Sequence, residues 1–389
     1  MTKFEKKNMP RIIYLDNNAT TPCAREVVDG MLPFFSSDYG NPSSPHAAGR
    51  KALRAVEAAR LHIADAVGCD SADLIFTSGA TESNNLALLG AAERAEPSRR
   101  RVLVGAIEHK SVLATCHLLT ERGFIVEEVP VDDTGMVRVD AVEHKLGPDV
   151  LIVAVQAANN EVGTLQPVEA VARLAHGHGA LVHCDAAQAL GKIDIQVAKL
   201  GVDMASFSGH KVYGPKGIGV LFLRRGMASV RIAPILGGGG QELNLRPGTL
   251  NVPGIVGMGI ACKAARSCLA DDVATITFLR DRLEAGVLHQ VPGVKINGNR
   301  QNRLSGTSSM SVRGIPADVL IANLPQLCIS TGSACTSGAN SPSYVLLAMG
   351  LSREEAECTV RISLGRYTTR KDVDAAIELL SSAISVLRA

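Results

Sequence analysis

Residues 206–211 read Ser206-Phe207-Ser208-Gly209-His210-Lys211, and the segment Asp185-Ala186-Ala187-Gln188 lies upstream of them. Each piece follows a short apolar run that reads as a strand, Ala180–Cys184 before the aspartate and Val202–Ser206 before the lysine. A lysine amine and a carboxylate, each at a strand's carboxyl end, are the pair that pyridoxal phosphate requires. The amine forms a Schiff base with the aldehyde, and the carboxylate keeps the pyridinium nitrogen protonated so that the ring accepts electrons. On this reading Lys211 is the Schiff-base residue, Asp185 the pyridinium partner and Gln188 a donor to the ring's phenolic oxygen. Ser208 and His210, beside the lysine, leave room for the ring and donate to its phosphate.

Working outward, strand and helix patterns alternate. Leu74–Thr77 leads into Ser78-Gly79-Ala80-Thr81-Glu82 and a helix through Ala95. Val102–Ile107 leads into Glu108-His109-Lys110 and another helix. Val150–Val155 leads into Asn159-Asn160-Glu161 and a helix over 168–178, and Gly219–Leu223 closes the series. Such alternation predicts an α/β protein with a mostly parallel sheet covered by helices on both faces. In these sheets the ligand sits beyond the carboxyl ends of the strands, where all the polar clusters just named can converge. The start of a helix after Gly79 presents free backbone N–H groups at Ala80 and Thr81, an anion site for a phosphate. After the Gly-rich loop 237–248 a helical pattern runs from about Val252 to His289. The remainder mixes short strands (307–312, 361–364) and helices and reads as a smaller α+β domain. The division expected is an N-terminal segment 1–20 packing on the small domain, a large cofactor domain 21–262 and a small domain 263–389.

Composition narrows the classes. The 389-residue chain has net charge +2, 20% charged and 46% apolar residues, 3% aromatics and no Trp. That is the make-up of a soluble enzyme, without the basic or aromatic surface that nucleic acid requires. No uncharged apolar run approaches a membrane span. The charged N-terminus lacks the apolar core of a signal peptide. The nine cysteines include no CxxC pair. A reduced, cytoplasmic protein with free thiols is expected.

Several residues carry two readings. His109, after a strand end, could lie over the cofactor ring; on spacing alone it is as well a structural histidine. His176-Gly177-His178 with His183-Cys184 has metal-type residues but no second ligand pair at suitable spacing, so no metal is expected. Cys335 lies in Ser330–Pro342, a stretch rich in Gly and Ser that offers a thiol nothing to pack against. It reads as an exposed nucleophile or carrier, or as an incidental surface cysteine. Arg361 is a charge inside an apolar strand. Its partner is either a substrate carboxylate held bidentately or a structural carboxylate.

Taken together, Tyr14-Leu-Asp-Asn-Asn-Ala-Thr-Thr-Pro22, Ser78-Gly-Ala-Thr-Glu-Ser-Asn84, Glu108-His109, Asn159-Asn-Glu161, Asp185-Ala-Ala-Gln188, Ser206–Gly217, Arg246-Pro-Gly-Thr249, Ser333-Ala-Cys-Thr-Ser337 and Arg361–Arg366 resemble the cysteine desulfurases of the NifS/IscS type, within the class V aminotransferases. The resemblance runs from about residue 12 to residue 370. It implies the aspartate aminotransferase-like fold type I and a homodimer in which Thr249 reaches the phosphate in the partner subunit. It implies that Asn160 and Arg361 bind the substrate carboxylate, with Asn160 also near the ring, and that His109 stacks on the ring and assists proton transfer. It further implies that Cys335, in a long mobile loop over about 328–342, takes sulfur from L-cysteine as a persulfide and hands it to an acceptor protein of iron–sulfur assembly or thiolation. Selenocysteine lyase, or a persulfide carrier without turnover, are the alternatives. The chain departs from the family pattern in having Ala157 and Ala158 before Asn159, Gln241-Glu242-Leu243 after Gly240, and an end at Ala389 without a longer docking tail.

Overall fold

The computed structural model describes residues 11–225, 230–332 and 342–389. A seven-stranded sheet runs in the order Leu74–Thr77, Gly219–Leu223, Met204–Ser208, Leu181–Asp185, Val150–Ala154, Arg101–Gly105, Ile125–Val129. Gly219–Leu223 is antiparallel to both neighbours, and every other pair is parallel. The central strands are buried throughout, as continuous apolar runs require when helices cover both faces. Ile125–Val129 escapes sequence reading for a physical reason: it is the edge strand. Ile125 is exposed, and Glu127 is tied to Arg101 of the neighbouring strand at 2.6 Å. Charge on an outer strand discourages edge-to-edge pairing and spoils the apolar pattern.

A second, antiparallel sheet has the order Ser330–Thr331, Thr359–Ser363, Thr307–Val312, Val294–Asn297. Ile13 and Leu15 are buried with the hydrophobic residues of this part, and Ile13–Tyr14 pairs in parallel with Leu327–Cys328. The 39-residue helix Val252–Gln290 is continuous across residue 262. Its first half, Val252 to Ala265, packs into the large sheet's core, whereas Ile276, Leu279, Leu283 and Val287 pack into the second core. It begins where Asn251 Oδ1 accepts from Gly254 N, with Pro253 in the first turn, where its missing N–H costs nothing. Midway, Gly259 lets it lie against the helix Ala47–Val67, because a Cβ there would sit 2.6 Å from Ala59 Cα. One rigid helix therefore couples the two cores whose edges meet at the site.

Candidate active site

The sheet register assembles the cofactor cradle. Asp185 pairs with Ser206 on the adjacent parallel strand. Farther out, Gly219 is opposite both Ser208 and Thr77. The turn Ser78-Gly79 and the start of the helix Ala80–Ala92 thus lie beside Ser208. A Cβ on Gly219 would be 2.5 Å from Gly79 Cα, so only glycine permits this approach. A Cβ on Gly79 would project to 3.9 Å from Ser208 Oγ, into the cradle itself. Gly79 caps the helix without a side-chain hydrogen bond, and the N–H groups of Ala80 and Thr81 meet no acceptor among the described residues. Open donors at a helix start, next to a buried serine hydroxyl, suit a phosphate. The Glu82 carboxylate in the same helix start accepts from Ser78 N at 2.7 Å and from Arg246 Nε at 2.8 Å. Desolvation works against its charge, but these bonds outweigh it and hold the carboxyl below its ordinary range.

Asp185 ends its strand 6% exposed. Its Oδ1 accepts from Ala187 N at 3.0 Å and its Oδ2 from Asn84 Nδ2 at 2.8 Å. A carboxylate with two donors in a buried setting is suited to face a ring nitrogen that carries a proton. Asn84 also donates to Ser111 Oγ at 2.8 Å, and Ser111 Oγ lies 2.8 Å from His109 Nδ1. His109 caps the helix Lys110–Glu121 through the same nitrogen, which accepts from Ser111 N at 3.2 Å. The residue before it, Glu108, is fully buried. Burial pushes its carboxyl well above the ordinary value, and the charge of Asp185 adds to this, against the opposing bond from Gln156 N at 2.6 Å.

Lys211 sits in the turn Gly209–Lys211 directly after the strand Met204–Ser208. Its Nζ donates to Asn18 O at 2.5 Å and Ala19 O at 2.7 Å. Gln188 Nε2 donates to the same Asn18 carbonyl at 2.9 Å, which leaves the amide's second N–H for a ring oxygen. His210 Nδ1 is 3.1 Å from Thr20 Oγ1. Burial, reinforced by Lys211, Lys216 and Lys192, pushes its imidazole down to about 4. Arg361 is 4% exposed and meets a structural carboxylate, one of the two partners that the sequence left open. It donates to Asp16 Oδ1 at 2.7 Å and to Asn160 O at 3.2 Å, while its Nε has no partner among the described residues. The side-chain amide of Asn160, half-buried beside it, makes no hydrogen bond to the described residues.

Thr249 is exposed, in a loop tied back through Arg246 to Glu82, and makes no hydrogen bond within this site. Cys335 lies outside the described residues. The flanks of its segment both meet Glu161: Ser343 Oγ donates to Glu161 Oε2 at 2.5 Å, and Gly332 lies too close to that carboxylate to carry a Cβ. Burial raises the Glu161 carboxyl, opposed by Ser343 and the nearby cations Arg361 and Lys110. His176 and His183 are spent on structure, on Asp203 Oδ2 at 2.8 Å and Ser206 Oγ at 3.1 Å.

Sequence reasoning missed Asn18, Asn84, Ser111 and Lys192. The one signal for Asn84 was its place in the polar first half of a helix whose second half is apolar. Asn18 belongs to a turn, and its own hydrogen-bond partners are all far away in sequence. The residues present fit pyridoxal phosphate: open donors for the phosphate, a buried carboxylate for the ring nitrogen and a lysine amine between them.

A family model, Aminotransferase class-V, matches residues 13–376. Cysteine desulfurase IscS of Rickettsia felis is 40% identical over 387 residues, which cover 99% of this chain and 94% of that protein. Among solved structures, a NifS-like protein superposes with a TM-score of 0.90 at 39% identity, covering 96% of this chain and all of that one. SspA in complex with cysteine superposes with a TM-score of 0.80 at 38% identity, covering 92% of this chain and 99% of that one. The chain belongs to the class-V aminotransferase family.

Proposed function

We propose that this protein is a pyridoxal phosphate-dependent cysteine desulfurase: it converts L-cysteine to L-alanine and passes the sulfur, through a persulfide on Cys335, to an acceptor protein. The observation that carries this reading is the placement of Asp185 and Lys211 at the ends of neighbouring parallel strands, beside the open donors of Ala80, Thr81 and Ser208. The relatives named as cysteine desulfurases supply the substrate.

When bound, pyridoxal phosphate supplies an electron sink for bond changes at the amino acid's Cα and Cβ. Ala80, Thr81, Ser208 and His210 hold its phosphate, Asp185 its ring nitrogen and Gln188 its phenolic oxygen. Arg361 and Asn160 hold the substrate carboxylate, which orients the Cα–H bond towards Lys211. Lys211 Nζ takes the Cα proton, and His109 covers the ring and assists the later proton transfers. Cys335 Sγ takes the substrate sulfur: the C–S bond breaks as an S–S bond forms. Cysteine plus an enzyme thiol gives alanine plus an enzyme persulfide, a balance that needs no outside oxidant or reductant.

The protein works as a homodimer in which Thr249, exposed and unused in its own subunit, completes the phosphate site of the partner. No helix among the described residues is long and apolar enough to cross a membrane. The unpaired cysteines suit a reducing cytoplasm. The test is to add L-cysteine to the purified protein with a reductant and follow alanine, sulfide and the visible spectrum. Equimolar alanine and sulfide with a changing cofactor band are expected. A stable band without alanine would overturn the choice of substrate.

A further inference from the structure

The site contains a second lysine. Lys192 lies beyond Gln188 in the segment Gln188-Ala189-Leu190-Gly191-Lys192. Its Nζ donates to Gln188 Oε1 at 2.5 Å and to Asn18 Oδ1 at 3.0 Å. Asn18 is the hub of this corner. Its backbone carbonyl accepts from both Lys211 Nζ and Gln188 Nε2. Its Nδ2 donates to Thr307 Oγ1 at 2.8 Å and its backbone N–H to Ser363 Oγ at 2.9 Å, both on the second sheet.

A primary amide has two faces, a carbonyl that only accepts and an amino group that only donates. Which face Gln188 turns towards the cofactor decides whether it stabilises or repels a ring oxygen. An ammonium on the Oε1 side fixes the choice, because it can only donate and only the carbonyl can accept from it. We propose that Lys192 is a positioning residue that locks the amide of Gln188, and through Asn18 the reference point of Lys211, so that Gln188 Nε2 faces the bound cofactor. The inference rests on the reading of the site as a pyridoxal phosphate site.

The surroundings agree with a role beyond a surface charge. Lys192 is half-buried, with protein closely packed about its ammonium. Burial, then Lys211 and Arg361, lower it well below an ordinary lysine. The groups that face it are Lys211 and His210 from the turn after the strand Met204–Ser208 and Arg361 from Thr359–Ser363. Tyr213 and Asp272, the latter ion-paired with Arg366 at 2.8 Å, line the same cleft. No carboxylate bonds to Lys192 among the described residues, so its hydrogen bonds go to two amide oxygens.

The test reads the cofactor without substrate. The visible absorbance of the loaded protein is titrated against pH for the parent, Lys192→Met, Gln188→Ala and the double variant. A donor to the ring oxygen, and any positive charge near the Lys211 nitrogen, both disfavour protonation there. Losing the locked donor is therefore expected to move the midpoint upward by about one pH unit, roughly a tenfold change in the equilibrium. Because Lys192 acts on the ring oxygen through Gln188, the double variant is expected to shift by less than the sum of the two single shifts. An unmoved midpoint in Lys192→Met, or shifts that add in the double variant, would overturn the proposal. If Lys192→Met does not retain cofactor, Lys192→Arg decides: it keeps a donor on Oε1 and is expected to keep the parental midpoint, and a shifted one overturns the role. A parent protein without any visible band would instead overturn the reading of the site itself.

Discussion

Asn84 Nδ2 lies 2.8 Å from Asp185 Oδ2 and 2.8 Å from Ser111 Oγ, so one amide nitrogen joins the buried carboxylate to the hydroxyl beside His109. The amide's orientation follows from chemistry, since a carboxylate only accepts. Asn84→Ala leaves Asp185 with Ala187 N as its remaining donor. A hydrogen bond to a charged group contributes about 1.5–3 kcal/mol. If Asp185 holds the ring nitrogen, the variant should bind pyridoxal phosphate at least about tenfold more weakly. Spectroscopic titration of the cofactor-free protein measures this, and an unchanged affinity would refute the assignment of Asp185.

The same chain of bonds sets the tautomer of His109. Ser111 Oγ accepts from Asn84, so its own hydrogen is available to His109 Nδ1, which also accepts from Ser111 N. A nitrogen that accepts twice carries no proton, and the neutral ring bears its hydrogen on Nε2. Ser111→Ala removes one of the two donors, worth about 1 kcal/mol and so roughly a fivefold loss in rate. Nitrogen-15 spectra of the variant should show more Nδ1–H. Spectra identical to the parent's would mean that the hydroxyl does not set the tautomer.

Glu108 gives the fold a pH dependence. Its folded carboxyl is raised well above the ordinary value by burial. At acid pH the group is protonated in both states and contributes nothing to the slope. As pH rises past the ordinary carboxyl value, the unfolded chain loses the proton that the folded protein keeps, so stability falls until the folded group ionises. Glu108→Gln keeps the acceptor for Gln156 N and abolishes that slope. The variant's melting temperature should therefore gain on the parent's as pH rises from about 4 towards 8. Parallel curves would show that Glu108 is ionised in the folded state.

The strands that line the site were legible because they are buried on both faces, and their ends carry dense polar punctuation. Gly219–Leu223 coincides with its apolar run, and Thr307–Val312 with the strand expected there. At the candidate site the places of Asp185 and Lys211 were legible because each stands at the end of an apolar strand run. Asn18 and Lys192 were not, because their meaning lies in contacts between distant segments: Asn18 meets Thr307, Ser363, Lys192 and Lys211 only after both cores have formed. Arg361 shows the intermediate case. A buried arginine announces a partner, but sequence cannot tell Asp16 from a substrate carboxylate, and the fold supplies the first while leaving Nε for further bonding.

Cys335→Ser separates cofactor chemistry from sulfur transfer. The groups that hold Lys211, Asp185, Gln188 and Arg361 at Asn18, Ala187 and Asp16 belong to other segments of the chain, so the variant should retain the cofactor and its visible band. Addition of L-cysteine should still perturb that band, because binding through Arg361 and Asn160 and proton removal by Lys211 do not use the thiol. Sulfide and alanine should both fall by orders of magnitude, since a hydroxyl is a far weaker nucleophile towards sulfur than a thiolate. Mass spectrometry of the parent after one turnover should add one sulfur atom to the peptide containing Cys335, and the variant should add none. Sulfide release that persists in the variant would remove Cys335 from the pathway.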